Sequence, residues 1–452
     1  MAAISHRQAI VSAPVGRTLI TITWPMLFAL VAIMGLGLVD SYFISFLGTE
    51  ELAAIGFIMP VTLIVTNIAL GLGMAISSLN SKLIGANQTD KAARLITDGI
   101  ILTALVAAIV GFALFFFMRQ IFALLGASQA IWPLINDYML SWTIAVVFLM
   151  LTQVCSSTFR SLGDTKTSAQ ISIILTVLNL ILDPLLIFGL GPFPELGMQG
   201  AALATVLAVI VSTAVSFYYL GWKEKLIIVA VPAFRAFKNN QKALLDIAVP
   251  AVLANAIIPL SAAIMTSIIS YHGTDAVAGF GVGSRIEAVS ILLVYALSAT
   301  LPMFIGQNLG ANNNDRVILA LSLSFKFVLF SQFIIYALLA LSANIISALF
   351  SDQDNVREVI QWFLYILPIS YGVGGIVILI SVSLNVLGKP KIALYISILR
   401  MILFYIPLAF LGSWLLGIKG IFIGLSVANL CTFLIAYLFL KRILRAQKII
   451  SK

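Results

Sequence analysis

Long apolar runs separated by short polar breaks dominate the chain. Twelve of them are long enough to cross a bilayer as helices: residues 18–46, 53–80, 93–118, 133–157, 168–190, 198–220, 243–270, 277–306, 318–340, 357–386, 392–415 and 420–441. About 20 mainly apolar residues suffice for one crossing. The longest polar interruption runs from Trp222 to Lys242 and carries Lys223, Lys225, Arg235 and Lys238. It divides the pattern into a first half, 1–221, a linker, 222–242, and a second half, 243–452.

The two halves repeat one another. Adding 225 to a position in the first half carries Pro25 to Pro250 and Gly48-Thr49-Glu50 to Gly273-Thr274-Asp275. The same offset takes Gly85-Ala86-Asn87 to Gly310-Ala311-Asn312, Leu162-Gly163 to Leu387-Gly388 and Lys166 to Lys391. Further on the offset falls to 220, pairing Gly197 with Gly417 and Gly200 with Gly420. Six spans per repeat, an even number, return the chain to the side it left. The predicted fold is therefore all-α and integral to the membrane: twelve transmembrane helices as two six-helix lobes, related by a pseudo-two-fold axis along the membrane normal.

Composition supports this picture. The chain is 61% hydrophobic and only 10% charged, against about 25% charged in soluble domains. The net charge of +9 reflects loop placement, not affinity for nucleic acid. With the N-terminus in the cytoplasm, 20 of the 26 Lys and Arg residues fall on the cytoplasmic side, so both termini are expected there. Only Arg119, Arg357 and Lys419 fall outside, while Arg285, Lys326 and Arg400 lie within spans. Lys326 and Arg400 are expected to snorkel toward the cytoplasmic interface. Cys155 and Cys431 lie in apolar runs and do not suggest a disulfide framework, and the N-terminus shows no removable signal peptide.

Catalytic chemistry is not visible. There is no phosphate-binding G-x-x-x-x-G-K-[ST] loop, and His6, His272 and two distant cysteines cannot build a His/Cys metal cluster. No enzyme and no cofactor are expected, and any transport must draw on an ion gradient or on the cargo's own gradient.

Ionisable residues inside spans are costly and mark function. Asp40 lies in the first span, eight residues before Gly48 and so about 12 Å from that end. Asp183 lies in the fifth, eight residues before Gly191, with Asn179 one turn away on the same helix face. These oxygen-bearing groups suit a cation such as Na⁺. Alternatively, two carboxylates close together in low dielectric share a proton at neutral pH. A structural hydrogen bond would also account for Asp40, and a break at Pro184 for Asp183. Pro25, with Gly35 and Gly37 before Asp40, gives the first span either a hinge or a static kink. In the second half Met265 occupies the place of Asp40, so coupling is expected to be asymmetric. Asn67, Asn255 and Gln153 suit a cavity lining and interhelical hydrogen bonds equally well.

The segment WPMLFALVAIMGLGLVDSYFISFLGTEELAAIGF, the loops GAN and RSLGDTK, and their counterparts GQNLGANNND and NVLGKPK resemble the multidrug and toxic compound extrusion (MATE) family over nearly the whole chain. The set Asp40, Asn179 and Asp183 is similar to that of its DinF-like branch. The NorM-like branch instead carries acidic residues in second-lobe helices, which this chain lacks at the matching depth. The resemblance implies a cation-coupled antiporter that exports amphipathic, often cationic, compounds by alternating access, with bending of the first helix at Pro25. It places Met34, Gly37 and Gln153 with Asp40 as candidate pocket residues. Thr205, with Ala201 one turn earlier, is the nearest hydroxyl for a Na⁺ site at Asp40, Asn179 and Asp183, which tilts the reading toward H⁺. A multi-pass protein of a bacterial or archaeal inner membrane is implied, acting as a monomer among lipids on small-molecule cargo. A lipid-linked oligosaccharide flippase of the same superfamily is the alternative.

Overall fold

A computed structural model describes residues 9–228 and 234–449. His6, Arg7 and Lys452, counted above among the histidines and basic residues, lie outside the described residues. Every regular element described is helical. In bilayer hydrocarbon each backbone donor and acceptor must be satisfied within its own segment, and an uninterrupted helix achieves this. Large apolar side chains point outward along these helices, among them Leu124 at 88% and Leu341 at 85% exposed. Only lipid accepts such a surface.

The first half contains α1 (Val15–Ser45), α2 (Thr49–Gly85), α3 (Thr89–Leu124), α4 (Trp132–Leu162), α5 (Thr165–Ile187) and α6 (Gly197–Tyr218), which ends in a π turn (Tyr219–Lys223). The second half contains α7 (Phe234–Ser270), α8 (Thr274–Ser290), α9 (Leu292–Gly310), α10 (Asn314–Phe350), α11 (Asp354–Ile366), α12 (Tyr371–Val386), α13 (Pro390–Leu399) and α14 (Ile406–Ala446). A π turn, Arg400–Tyr405, joins α13 to α14, and α14 kinks at Leu416 and Gly417 into the last two spans.

The sequence repeat is written into the backbone. Asn87 and its partner Asn312 both adopt left-handed φ, at 61° and 59°. Gly163 (93°) matches Gly388 (74°), and Gly197 (53°) matches Gly417 (61°). Asn is among the few side chains that tolerate this region, so the sequence marks the turn in both halves.

Two predicted boundaries differ. The linker is not polar coil to residue 242, because α7 begins at Phe234. Its first turns dock on α3: Asn240 donates to the carboxylate of Asp98 at 2.8 Å and Gln241 donates to the Asp98 carbonyl at 2.9 Å. Asp98 is fully buried and also pairs with Arg94 at 2.9 Å, so polar residues here bind protein instead of water. The predicted span 277–306 is likewise not one helix, since Ile291 interrupts it between α8 and α9.

The chain forms two compact units. Among the described residues, one contains those of Thr21–Val252, and the other contains Pro14–Ile20 and those from Leu253 onward. In the first, α4 packs along α2, α3 and α6, and α5 packs on α6. In the second, α11 packs on α8 and α10, with Phe363 against Phe422 at 5.3 Å between ring centres. Close helix approach depends on missing side chains, as membrane packing generally does. A Cβ on Gly200 would collide with the Leu186 carbonyl of α5, and one on its repeat partner Gly420 with the Gly412 carbonyl. Gly200→Ala must therefore push α5 from α6. We expect it to cost about 1–3 kcal/mol, read as a lower thermal midpoint of the purified protein, whereas Gly35→Ala, which meets nothing within 4 Å, leaves the midpoint unchanged.

Candidate ion-coupling site

The first unit brings Asp40, Asn179, Asp183 and Thr205 to one place. α5 runs unbroken from Thr165 through Pro184 to Ile187, so Asp183 projects from intact helix and not from a break. The i, i+4 spacing stacks Asn179 on Asp183, and both are 2% exposed. With its amide oriented to satisfy its neighbours, Asn179 donates to both carboxyl oxygens of Asp183, at 2.7 and 3.0 Å, and accepts from the Thr205 hydroxyl of α6 at 3.1 Å.

Asp40 reaches this group from α1, where it is half-buried. Its carboxyl lies in hydrogen-bonding contact with that of Asp183. Two ionised carboxylates have no donor between them, so a contact of this kind needs a proton or a cation between the acids. An aromatic contact holds α1 against the end of α5: Phe43 and Phe46 meet Phe188 edge-on at 6.2 and 6.3 Å.

Tyr138 of α4 belongs to the site and was not singled out by the sequence. Its hydroxyl is hydrogen-bonded to Thr205, and it lies within electrostatic reach of both Asp40 and Asp183. A tyrosine near a span end reads as an interfacial aromatic, and nothing local distinguishes this one.

The pocket residues are placed less uniformly. Gly37 lies one turn from Asp40, on exposed helix surface where an added Cβ would meet nothing within 4 Å. Met34 is half-buried two turns from Asp40. Gln153 is not brought to the group: it lies 15 residues along α4 from Tyr138, about 22 Å at 1.5 Å per residue. Pro25 sits within α1, which is continuous from Val15 to Ser45. Among the described residues no group of three or more His, Cys, Asp or Glu side chains is placed to hold a metal ion. Asn179→Leu removes both donors to a buried carboxyl and strands the Thr205 hydroxyl. We expect a loss of about 1–3 kcal/mol, seen as a lower thermal midpoint, and a smaller loss for Thr205→Ala, which leaves the donors to Asp183 in place.

Comparison with known proteins completes the picture. The MatE family model matches twice, over residues 25–185 and 250–411, beginning at the repeat partners Pro25 and Pro250. A protein of Shewanella oneidensis named FAD transporter is 40% identical over 98% of each chain. Multidrug export protein MepA of Staphylococcus aureus is 25% identical over 95% of each. The crystal structure of the Vibrio cholerae MATE transporter VcmN in the bent form superposes with a TM-score of 0.90 at 32% identity, covering 98% of both chains. Structures of this group have twelve transmembrane helices in two lobes, as the sequence pattern predicts. With a family model covering both repeats and near full-length relatives, this chain belongs to the MATE family of membrane transporters.

Proposed function

We propose that this protein is a proton-coupled antiporter that exports amphipathic organic molecules, with Asp40 and Asp183 as the proton-carrying pair. The observation that supports this most directly is the contact between two carboxyls on two different helices, oriented by Asn179 and Thr205. Protonation of the pair permits the contact. Deprotonation sets two like charges against each other in a low-dielectric site, at a cost of several kcal/mol. That cost falls on the α1–α5 junction, so proton loading biases the position of α1, and Pro25 supplies the point at which α1 can bend. Proton entry from outside would then drive cargo release, and the emptied pair would reset facing the cytoplasm. Both termini are cytoplasmic in this reading, and the membrane is the bacterial inner membrane.

A proton suits the site better than sodium. With the Asn179 amide donating to both oxygens of Asp183, its N–H groups and not its oxygen face the carboxyl, which suits a protonatable acid. Family membership favours an exporter over the lipid-linked oligosaccharide flippase.

Cargo has two readings. Relatives near 25% identity are named for multidrug resistance or multidrug export, which favours amphipathic cations. The 40% identity to a protein named FAD transporter favours a flavin dinucleotide instead.

Liposomes with an imposed proton gradient and no sodium separate these possibilities. A fluorescent cationic dye and FAD are each offered as cargo while lumenal pH is followed. We expect cargo-dependent proton flux that Asp40→Asn abolishes while folded protein is retained. Flux that appears only with sodium would overturn the proton assignment, and no movement of either cargo under either gradient would overturn the exporter.

A further inference from the structure

The second unit treats two of its intramembrane basic residues differently. Arg400 does not snorkel, because protein groups hold it. Its guanidinium lies over the Tyr405 ring at 4.6 Å and donates to the Tyr405 hydroxyl and, at 3.1 Å, to the Asn429 side-chain oxygen. Lys326 of α10 is held by no such group. It is exposed, and no carboxylate pairs with it among the described residues.

α10 has 37 residues, which makes it about 55 Å long against about 30 Å of hydrocarbon. Lys326 follows Asn314, the first residue of α10, by 12 positions. With the helix centred in the bilayer, its Cα lies about 5 Å inside the hydrocarbon boundary. A four-carbon side chain spans that distance, so the ammonium reaches the lipid phosphates of the leaflet on the side where α10 begins.

Lys326 also lines a groove of about 510 Å³ between α10 and the 3-10 turn Leu367–Ser370 with the first turn of α12. That volume falls within the range of small-molecule sites. Lys326, Phe330 and Phe333 follow i, i+4, i+7 spacing and so share one face of α10. Ile369 and Gly372 line the other wall. Gly372 lets the walls approach at Leu329, where an added Cβ would stand 3.2 Å from the leucine side chain. Phe330, Phe333 and Ile369 are 67%, 65% and 61% exposed, so the groove is open to the bilayer and its ligand arrives from there. A cation followed by an apolar channel matches an amphiphile with an anionic head and a hydrocarbon tail. A zwitterionic lipid brings its own ammonium to Lys326, whereas an anionic lipid brings the net negative charge that attracts a lysine near the surface. An unpaired cation at this depth is costly, and that charge offsets the cost.

We propose that this groove binds one anionic phospholipid, with the phosphate on Lys326 and an acyl chain along Phe330, Phe333 and Ile369. The site belongs to the second unit and depends neither on the Asp40 pair nor on the choice of cargo.

The full chain in detergent is titrated with phosphatidylglycerol and with phosphatidylcholine, and bound lipid is counted by native mass spectrometry. Wild type is expected to hold one phosphatidylglycerol about fivefold more tightly than phosphatidylcholine. Lys326→Gln abolishes that preference and Lys326→Arg keeps it. Ile369→Trp, which fills the groove from its exposed wall, weakens both lipids. Lys391→Gln removes the same charge from the exposed start of α13 and leaves the preference intact. Because Lys326 is exposed and unpaired, its substitution leaves the thermal midpoint unchanged, which separates lost binding from lost fold. Equal affinity of wild type for the two lipids, or a preference that survives Lys326→Gln, overturns the site. Displacement of the lipid from wild type by FAD or a cationic dye also overturns it, since the groove would then be a cargo site.

Discussion

A carboxylate buried in a bilayer must find a proton, a cation or a set of donors. The first unit meets that demand at one point, and the arrangement of its helices follows from it. Asp183 takes two donor bonds from Asn179, Asn179 is turned by Thr205, and Thr205 is met by Tyr138. This recruits α5, α6 and α4 into one network. Asp40 closes it from α1, where two acids brought together need a proton or a cation between them. In the proposed mechanism that ion becomes part of the packing between α1 and its neighbours.

The repeat makes the specialisation visible. The two halves share turn geometry at Asn87 and Asn312, at Gly163 and Gly388, and at Gly197 and Gly417. The chemistry carried by that common frame differs. Met265 stands at the position of Asp40 and is 4% exposed, filling with sulfur and methylene what the first half fills with a carboxyl. The second half instead places Arg400 at a π turn, five residues before the tyrosine it stacks on. A duplicated scaffold has kept its loops and diverged in its charged groups, with the acid pair in one half and the cation in the other.

The spans, the repeat and the acid pair could be read from the sequence because each rests on local regularity: apolar run length, a fixed offset, or an i, i+4 spacing. Asn179 and Asp183 share a helix face for that reason. What could not be read depends on contacts distant in sequence. Tyr138 joins the site through α6, 67 residues away at Thr205. Arg400 looked like a snorkelling side chain because its partner Asn429 lies in another span. Asn240 and Gln241 looked like linker because Asp98, which they bind, is more than 140 residues earlier. Gln153 had the right residue type for a pocket but lies too far along α4. Polarity within a span identifies a candidate, and only depth and neighbours decide its role.

A single proton joining Asp40 and Asp183 would leave a direct spectroscopic mark. Infrared spectroscopy of the purified protein at neutral pH, compared in H₂O and D₂O, reads protonated carboxyls directly. A shared proton gives a protonated-carboxyl band that shifts with deuterium and changes in both Asp40→Asn and Asp183→Asn, because two acids sharing one proton titrate as a pair. A wild-type spectrum without such a band, or a band that neither substitution alters, would contradict it.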